Sequence, residues 1–179
     1  VVNKSTLPVG STRLVEQALG RSDIPVVSNP EFLREGSAVD DFLHPDRVVI
    51  GSDDDAAARR VASLYVDCGA PIMVTDPASA ETCKYAANAF LATKLSFTNA
   101  IAAVCEAVGA DANDVLLGMG YDHRIGHEFL RPGPGWGGSC FPKDSRAIIS
   151  IAEDAGYDFA LMRGVIQAND EQFDRIVRK

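Results

Sequence analysis

The sequence predicts an α/β region with a parallel, doubly wound sheet, followed by an all-α region built on one long helix. In the first region, short apolar stretches alternate with stretches of helical pattern as far as residue 75, an order typical of strands joined by crossover helices. From Pro77 to Val108 there is then no glycine and no internal proline, and apolar residues recur at helical spacing. We therefore expect two domains, residues 1–76 and residues 77–179.

The predicted elements of the first region follow its turn and capping signals. Ser11 or Thr12 could cap a helix, since either hydroxyl can accept a hydrogen bond from the first turn. The aspartates at residues 53–55 suit the positive N-terminus of another helix, and Gly69 ends it. In chain order we predict a strand end at 1–5, a helix at 12–19, a strand at 25–28, a helical turn at 37–42, a strand at 47–50, a helix from 53 to about 67 and a strand at 71–75.

The second region begins with the helix over 77–108, which is about 45 Å long at the usual rise per residue. Gly109 ends it. A helix of this length could form a spine shared between domains or subunits, or it could be an ordinary core helix. Beyond it we predict a short helix at 111–117, a loop-rich stretch at 118–144 and helices at 145–154 and 159–178.

The composition indicates a protein that neither binds nucleic acid nor spans a membrane. The net charge is −8, whereas nonspecific nucleic-acid binding depends on clustered Lys and Arg. No run of about 18 apolar residues and no signal-peptide pattern is present. The four cysteines, at 68, 83, 105 and 140, are too dispersed for a metal site or a disulfide framework and favour the cytoplasm. The three histidines, at 44, 123 and 127, do not form a ligand set either.

Cys140 is the candidate nucleophile of the chain. It lies within the stretch Gly-Pro-Gly-Trp-Gly-Gly-Ser-Cys-Phe-Pro-Lys-Asp, residues 133–144, after a run of residues with little side chain. Lys143 and Asp144 follow, and a nearby cation favours the thiolate form of a cysteine. The alternative is an inert cysteine in a turn, with Asp144 as the N-cap of the helix at 145–154.

A glycine pattern in the same stretch does not indicate a dinucleotide site. Gly133, Gly135 and Gly138 match G-x-G-x-x-G, but that fingerprint requires a preceding strand and a helix that opens at its end. Pro132 and Pro134 are incompatible with such a strand, so we exclude this interpretation.

Lys84 and Asn88 are four residues apart and therefore share one face of the long helix. Both interrupt an otherwise apolar surface. A buried lysine is costly unless a partner or a ligand compensates its charge, which makes Lys84 a candidate binding residue. The alternative is an ordinary solvated lysine.

Six motifs resemble those of the UDP-glucose/GDP-mannose dehydrogenase family, in the family's order. The cysteine stretch resembles the catalytic loop of these nucleotide-sugar dehydrogenases. The other motifs are Lys-Ser-Thr-Leu-Pro-Val-Gly at 4–10, Asn-Pro-Glu-Phe-Leu-Arg-Glu-Gly at 29–36, His-Pro-Asp-Arg-Val-Val-Ile-Gly at 44–51, Lys-Tyr-Ala-Ala-Asn-Ala-Phe at 84–90 and Arg-Ile-Gly at 124–126. The resemblance implies that residues 1–76 are the C-terminal part of a Rossmann-like NAD-binding domain, and residues 77–179 a central helical domain that forms a homodimer. It also implies a fragment, without the glycine-rich phosphate turn and the C-terminal domain of the family.

The resemblance further implies an NAD-dependent oxidoreductase that converts UDP-glucose into UDP-glucuronate, which supplies polysaccharide biosynthesis. Two oxidations would proceed through a thiohemiacetal and a thioester on Cys140. The motif at 44–47 and the Phe-Pro-Lys-Asp ending are most similar to members that act on UDP-glucose, while UDP-N-acetylmannosamine and GDP-mannose remain alternatives. Two other functions stay open: a non-catalytic dimerisation module for the fragment alone, and a dehydrogenase of the hydroxyacid or 6-phosphogluconate type.

Individual roles are also implied by the resemblance. Lys84 would stabilise an oxyanion, Glu31 would be the general acid and base of thioester hydrolysis, and Asp144 would orient or deprotonate the water. Arg124 would reach the substrate of the neighbouring subunit. The implied catalytic residues are Cys140, Lys84, Asp144, Glu31, Asn88 and Thr6. The implied substrate-binding residues are Glu31, Phe32, Leu33, Arg34, Glu35, Lys84, Asn88, Arg124, Arg131, Gly133, Gly135 and Gly137. The residues implied to bind NAD are Ser5, Thr6, Glu35, Cys140 and Lys143.

Overall fold

The computed structural model describes residues 1–178 and contains two compact units. The first unit is Val1–Lys84, and the second begins at Tyr85. The chain passes from one unit to the next inside its longest helix, so the domain boundary that we expect after residue 76 stays a prediction.

The first unit contains a four-stranded sheet in the order β1-β2-β3-β4. Its strands are β1, Val2–Asn3; β2, Val27–Ser28; β3, Val48–Gly51; and β4, Ile72–Thr75. The outer pairs, β1 with β2 and β3 with β4, are parallel, whereas β2 and β3 are antiparallel. The prediction of a parallel sheet is therefore wrong for the middle pair, and the sheet is mixed.

The connection between β2 and β3 explains the antiparallel pair. Adjacent parallel strands need a crossover, usually a helix that packs on a sheet face. The connection holds only the short helix α2, Ala38–Leu43, and none of its residues is buried. Because α2 does not cover the sheet, the chain returns alongside β2 in the opposite direction.

The two longer helices of the first unit have different caps. Helix α1, Ser11–Leu19, begins after Gly10 at a φ of 93°, so the predicted caps Ser11 and Thr12 are wrong: both residues lie inside the first turn. Helix α3, Asp55–Ala62, is capped by Asp54, whose carboxylate accepts from the N–H of Ala57. The predicted helix to about 67 tightens after Ala62 into a 3₁₀ segment, Ser63–Cys68, which ends at Gly69.

The core of this unit lies between the sheet and α3 and contains Val27, Val48, Ile50, Ala57, Ala58 and Val61.

The second unit is helical. Helix α4 runs over Pro77–Val108, as predicted, and ends at Gly109, whose φ is 74°. It is followed by α5, Ala112–Gly120; α6, Phe141–Asp154; and α7, Ala160–Arg178. The core of this unit contains Ala89 and Ala92 of α4, Trp136, and Met162 and Val165 of α7.

Helix α6 begins earlier than predicted, at Phe141 instead of residue 145. Pro142 lies in its first turn, where the missing N–H of a proline costs nothing and its fixed φ is helical. Cys140 occupies the N-cap position. The alternative role of Asp144 as an N-cap is therefore wrong, since Asp144 lies within the first turn.

By length and composition alone, α4 could cross a membrane. The core helix of a soluble protein passes the same test, and three buried polar residues of α4 bond to other parts of the second unit. Ser96 donates to the carbonyl of Val165, and Thr98 to the carbonyl of Phe129. Asn99 accepts from the N–H of Gly133. These bonds attach α4 to the rest of the second unit, and the expectation of no membrane partner stays a prediction.

Candidate active site

Three predicted catalytic residues meet in the first unit, and we call Thr6, Glu31 and Lys84 the Glu31 cluster. The hydroxyl of Thr6 donates to Glu31 Oε1 at 3.3 Å, and Lys84 Nζ lies 3.6 Å from the same oxygen. The Lys84 side chain is 5% exposed and that of Glu31 25%. Lys84 is thus a buried lysine with a carboxylate partner, and the interpretation as a solvated lysine is wrong.

The topology of β1 and β2 brings this cluster together. Thr6 follows β1 and Glu31 follows β2, and the two strands are parallel neighbours. Their carboxyl ends therefore lie at one edge of the sheet, which is where open α/β sheets bind their ligands.

Aromatic and charged neighbours hold the segment around Glu31. Two cations lie over the ring of Phe32, with Arg47 Cζ 3.8 Å and Lys84 Nζ 5.4 Å from its centroid. The N–H of Leu33 donates to Glu31 Oε2 at 2.7 Å. Arg34 forms an ion pair with Asp41, and its hydrogen bonds to that carboxylate raise the pKa of the guanidinium. Arg34 thus already has an anionic partner within the chain.

A second cluster lies in the second unit, and we call Asn88, Lys143 and Asp144 the Asp144 cluster. Asn88 Nδ2 donates to Asp144 Oδ2 at 2.6 Å, and Lys143 Nζ donates to Asp144 Oδ1 at 2.5 Å. Asp144 is fully buried, and its hydrogen bond from Lys143 raises the pKa of that ammonium. The Asp144 carboxylate of α6 therefore links two helices, because Asn88, which donates to it, belongs to α4.

Cys140 is exposed at the start of α6, one helical turn before Asp144. Its carbonyl accepts from the N–H of Asp144 at 2.8 Å, which fixes the backbone at the thiol. Its Sγ lies 3.6 Å from the hydroxyl oxygen of Ser139. The site therefore presents an accessible thiol from a fixed helix terminus, as a covalent nucleophile requires.

Side chains that the sequence did not single out anchor the loop before Cys140. The N–H of Gly133 donates to Asn99 Oδ1 at 2.8 Å, and Gln172 Nε2 donates to the carbonyl of Gly133 at 2.7 Å. Asn169 bonds to both the N–H and the carbonyl of Trp136. The only sequence signal for such anchors is a buried amide among the apolar positions of a helix, as Asn169 is among those of α7.

The remaining predicted site residues are mostly at the surface. Ser5, Glu35, Arg131 and Gly137 are exposed. Arg124 is exposed too and pairs with Asp122. Gly133 and Gly135 are half-buried within the anchored loop. The roles assigned to all these residues stay predictions.

The first unit offers features that fit part of a dinucleotide site. Ser5 and Thr6 place hydroxyls after the carboxyl end of β1, and the segment from Asn29 follows the parallel strand β2, the edge at which Rossmann-type sheets hold NAD. The N-terminus of α1, in contrast, cannot hold a phosphate, because the carboxylate of Glu81 already accepts from its first N–H groups. Among residues 1–178, no group of three or more His, Cys, Asp or Glu residues could hold a metal ion.

Comparisons with known proteins show to which family the chain is related. The model of the UDP-glucose/GDP-mannose dehydrogenase family, NAD binding domain, matches residues 1–68, and that of the central domain of the same family matches residues 78–171. The chain is 52% identical over 184 residues to the UDP-glucose 6-dehydrogenase TuaD of Bacillus subtilis (strain 168), and the match covers 100% of the chain and 40% of TuaD. NAD is the cofactor of this family.

Two solved structures are similar as well. A UDP-glucose dehydrogenase from the hyperthermophilic archaeon Pyrobaculum islandicum has a TM-score of 0.91 and 44% identity, over 96% of this chain and 41% of that one. The UDP-D-ManNAc dehydrogenase from Pyrococcus horikoshii has a TM-score of 0.83 and 27% identity, over 96% of this chain and 42% of that one. The chain thus spans about 40% of the length of the curated relatives. Because the models of the two domains match residues 1–68 and 78–171, the chain belongs to the UDP-glucose/GDP-mannose dehydrogenase family.

Proposed function

We propose that these residues are part of an NAD-dependent UDP-glucose 6-dehydrogenase, which oxidises the C6 alcohol of UDP-glucose to a carboxylate. The observation that carries the proposal is the exposed thiol of Cys140 at the start of α6, one turn before the buried Asp144. The sugar is inferred from relatives that bear this name, TuaD among them. Because the chain spans 40% of TuaD, the activity is proposed for the longer polypeptide. The four free cysteines fit a reducing compartment, and we place the enzyme in the cytoplasm.

Cys140 takes part in the second oxidation. NAD, when bound, is the two-electron acceptor in both oxidations. The first oxidation turns the C6 alcohol into an aldehyde. The sulfur of Cys140 then forms a bond to C6, and the thiol proton ends on the former carbonyl oxygen, which gives a thiohemiacetal. Loss of two electrons and two protons gives a thioester, and water cleaves its C–S bond to release UDP-glucuronate and the free thiol.

The carboxylates and the lysine control protons and charge in this proposal. Lys84 supplies the positive charge that stabilises an oxyanion at C6. Glu31, which accepts from Thr6, is the general acid and base of thioester hydrolysis. Asp144 orients the attacking water, and Asn88 binds the sugar. Covalent capture by Cys140 retains the aldehyde until the second oxidation.

Substitution of the thiol tests the proposal. In the full-length enzyme, Cys140→Ser should stop steady-state NADH production, because a serine ester or a free aldehyde replaces the cleavable thioester. Cys68→Ser, which changes a half-buried thiol in the first unit, is the matched control and should retain activity. Unchanged turnover in Cys140→Ser would contradict the proposal. Mass spectrometry of the wild-type enzyme during turnover should show a sugar-nucleotide adduct on Cys140, which a hydroxyacid-type dehydrogenase would not form.

The sugar requires its own test. The Pyrococcus horikoshii structure shares the fold at a TM-score of 0.83, so the fold does not select between sugars. Isothermal titration of the full-length enzyme with UDP-glucose, UDP-N-acetylmannosamine and GDP-mannose should give the tightest binding for UDP-glucose. Tighter binding of UDP-N-acetylmannosamine or GDP-mannose would contradict the assignment of UDP-glucose and identify that nucleotide sugar as the substrate instead.

We also propose that α4 forms a homodimer interface. Phe90, Phe97 and Val104 are exposed and recur every seven residues, so they make an apolar stripe along one side of α4. This stripe also supports the second candidate function, a dimerisation module that these residues could form without catalysis. Size-exclusion chromatography with light scattering should give a dimer that Phe97→Asp dissociates. A monomeric wild-type protein would contradict both.

A further inference from the structure

We infer that Glu81 is a positioning residue that sets where the ammonium of Lys84 stands relative to Thr6 and Glu31. The inference rests on the proposed function of Lys84 and concerns only the first unit. Glu81 is not among the residues to which the sequence or the family resemblance gives a role. It does not touch the reacting atoms, and it acts through the start of α1 and the first turns of α4.

Glu81 joins α4 to the start of α1 with both of its carboxylate oxygens. One oxygen accepts from the N–H of Gly10 at 2.6 Å. The other accepts from the N–H of Thr12 at 2.9 Å and from its hydroxyl at 2.7 Å. Glu81 is 5% exposed and Thr12 is fully buried. All three donors therefore reach the same buried carboxylate, and water cannot replace it.

The start of α1 needs this carboxylate. The first N–H groups of a helix have no partner within it, and they carry the positive end of the helix dipole. The N-cap residue of α1 is Gly10, which has no side chain to accept from them. A buried carboxylate is itself costly unless it is fully hydrogen-bonded. Both costs are removed only when α1 and α4 keep one relative position, so Glu81 fixes that position.

The fixed position extends to Lys84, which follows Glu81 by three residues and lies on the same side of α4. Lys84 Nζ lies 3.6 Å from Glu31 Oε1, and Thr6 donates to the same oxygen. Thr6 belongs to the short stretch that leads into Gly10. Two sets of contacts therefore connect α4 with the start of α1. Glu81 of α4 binds the start of α1, and Thr6, which precedes α1, shares an oxygen of Glu31 with Lys84 of α4. A shift of α4 would move the ammonium away from this cluster.

The inference predicts a loss of turnover with little loss of substrate affinity. In the full-length enzyme, Glu81→Gln should lower kcat about ten- to a hundredfold, the scale of a misplaced catalytic group. The reason is that the amide NH₂ of glutamine must face the N–H of Gly10 or the donors of Thr12. KM for the nucleotide sugar should change less than about twofold, because Asn88, which is proposed to bind the sugar, belongs to the second unit. Glu16→Gln is the matched control on α1, since Glu16 pairs with the exposed Arg13, and it should leave kcat unchanged.

A pair of substitutions at Thr12 approaches the same contact from its other side. Thr12→Ser keeps the hydroxyl that donates to Glu81, and it should retain kcat within about twofold. Thr12→Val has nearly the shape of threonine without the donor, and it should lower kcat by about tenfold or more. Equal effects of the two would overturn the inference. This pair also decides the case if Glu81→Gln does not fold.

A double-mutant cycle with Lys84 separates positioning from a general loss of structure. Lys84→Met should itself lower kcat by roughly a hundredfold or more, the effect of losing an oxyanion donor. In that background Glu81→Gln should have almost no further effect on kcat, because no ammonium is left to misplace. An equal fall in both backgrounds would show a merely structural role and overturn the inference alone. Unchanged turnover in Lys84→Met would overturn the proposed function of Lys84, and the inference with it.

Discussion

The Glu31 cluster and the Asp144 cluster both place a carboxylate next to a lysine, yet the protein holds the two in different ways. Asp144 lies in the first turn of a helix of 14 residues, and its side chain is 1% exposed. Glu31 lies in an irregular segment after β2, and its side chain is 25% exposed. A group fixed by a helix and by buried partners keeps one geometry, whereas a loop-borne group can adjust. The comparison indicates that the carboxylate of Asp144 is preorganised within the second unit, whereas the carboxylate of Glu31 in the first unit is adaptable.

The segments around the two clusters differ in the same way. The stretch from Arg34 to Leu43, between β2 and β3, is held by contacts near the surface: the ion pair of Arg34 with Asp41, and Phe42 edge-on to Tyr65 at 6.5 Å between ring centroids. The loop before Cys140 is held by buried amides, above all by Asn169, which bonds to both backbone polar groups of Trp136. Exposed pairs contribute little to stability, while buried hydrogen bonds are costly to lose. The first segment should therefore open locally at a lower free energy than the second.

The largest expected difference is in the free energy of unfolding after loss of each carboxylate. Asp144→Asn should cost about 2–3 kcal/mol, because the buried amide cannot accept from both Asn88 and Lys143 and leaves a donor unpaired. The isosteric change Glu31→Gln should cost less, about 1–2 kcal/mol: Lys84 loses its charged partner, but the side chain at position 31 is 25% exposed and its amide oxygen can still accept from Thr6. Urea denaturation of both variants measures the difference. Equal costs would remove the distinction between a fixed and an adaptable cluster.

Local signals in the sequence predicted α4, because neither glycine nor internal proline interrupts Pro77–Val108 and Gly109 ends it. They did not predict the start of α6, because Pro142 can serve as a helix breaker or as a first-turn residue, and only the fold decides which. The mixed sheet was missed for a related reason. Buried strands of two to four residues carry no pattern that separates a parallel from an antiparallel neighbour.

The contacts within the two clusters and their anchors also join residues that are far apart in the sequence, and local patterns do not predict such contacts. Thr6, Glu31 and Lys84 were singled out together because the family resemblance gives each of them a catalytic role. No periodicity in the sequence indicates that these three side chains lie close together. The anchors of the cysteine loop were missed because Asn169 lies 33 residues along the chain from its partner, Trp136. Such a bond depends on how α7 packs. Short-range spacing contains no information about it.

A smaller effect should separate two glycines that have the same kind of backbone. Gly135 has a φ of 123°, and an added Cβ would lie 3.0 Å from both Asn169 Oδ1 and Phe173 Cε1. Gly36 has a φ of 88° and open space around it. Gly135→Ala should therefore cost about 2 kcal/mol, from backbone strain plus a displaced Asn169, and Gly36→Ala only about 1 kcal/mol from strain. Thermal unfolding measures the stability cost of each substitution. A larger cost at Gly36 would show that the loop before Cys140 is more adaptable than the segment between β2 and β3.

The smallest effect concerns pH and the ion pair that holds the segment around Glu31. The hydrogen bond from Arg34 holds the pKa of Asp41 well below its ordinary value of 3.8 in the folded state. A carboxyl group with a depressed folded pKa stabilises the fold above its unfolded pKa, and this contribution is lost as the pH falls from there through the folded pKa. The difference in stability between the wild type and Asp41→Asn should thus be constant from about pH 7 to 5 and shrink below about pH 4. Asp46→Asn is the control, since its side chain is 95% exposed and lies 3.9 Å from Arg47.

Amide exchange of the backbone provides a second measurement of the effect of Asp41 protonation. The N–H of Arg34 donates to Asp41 Oδ2 at 2.8 Å, so protonation of Asp41 removes part of what closes this segment. Amide exchange at Arg34, corrected for the intrinsic effect of pH, should speed up below about pH 4, while exchange at the N–H of Trp136, which donates to the uncharged Asn169, should not. Equal acceleration at both amides would mean that acid loosens the whole chain. The ion pair would then have no separate part in holding the segment around Glu31.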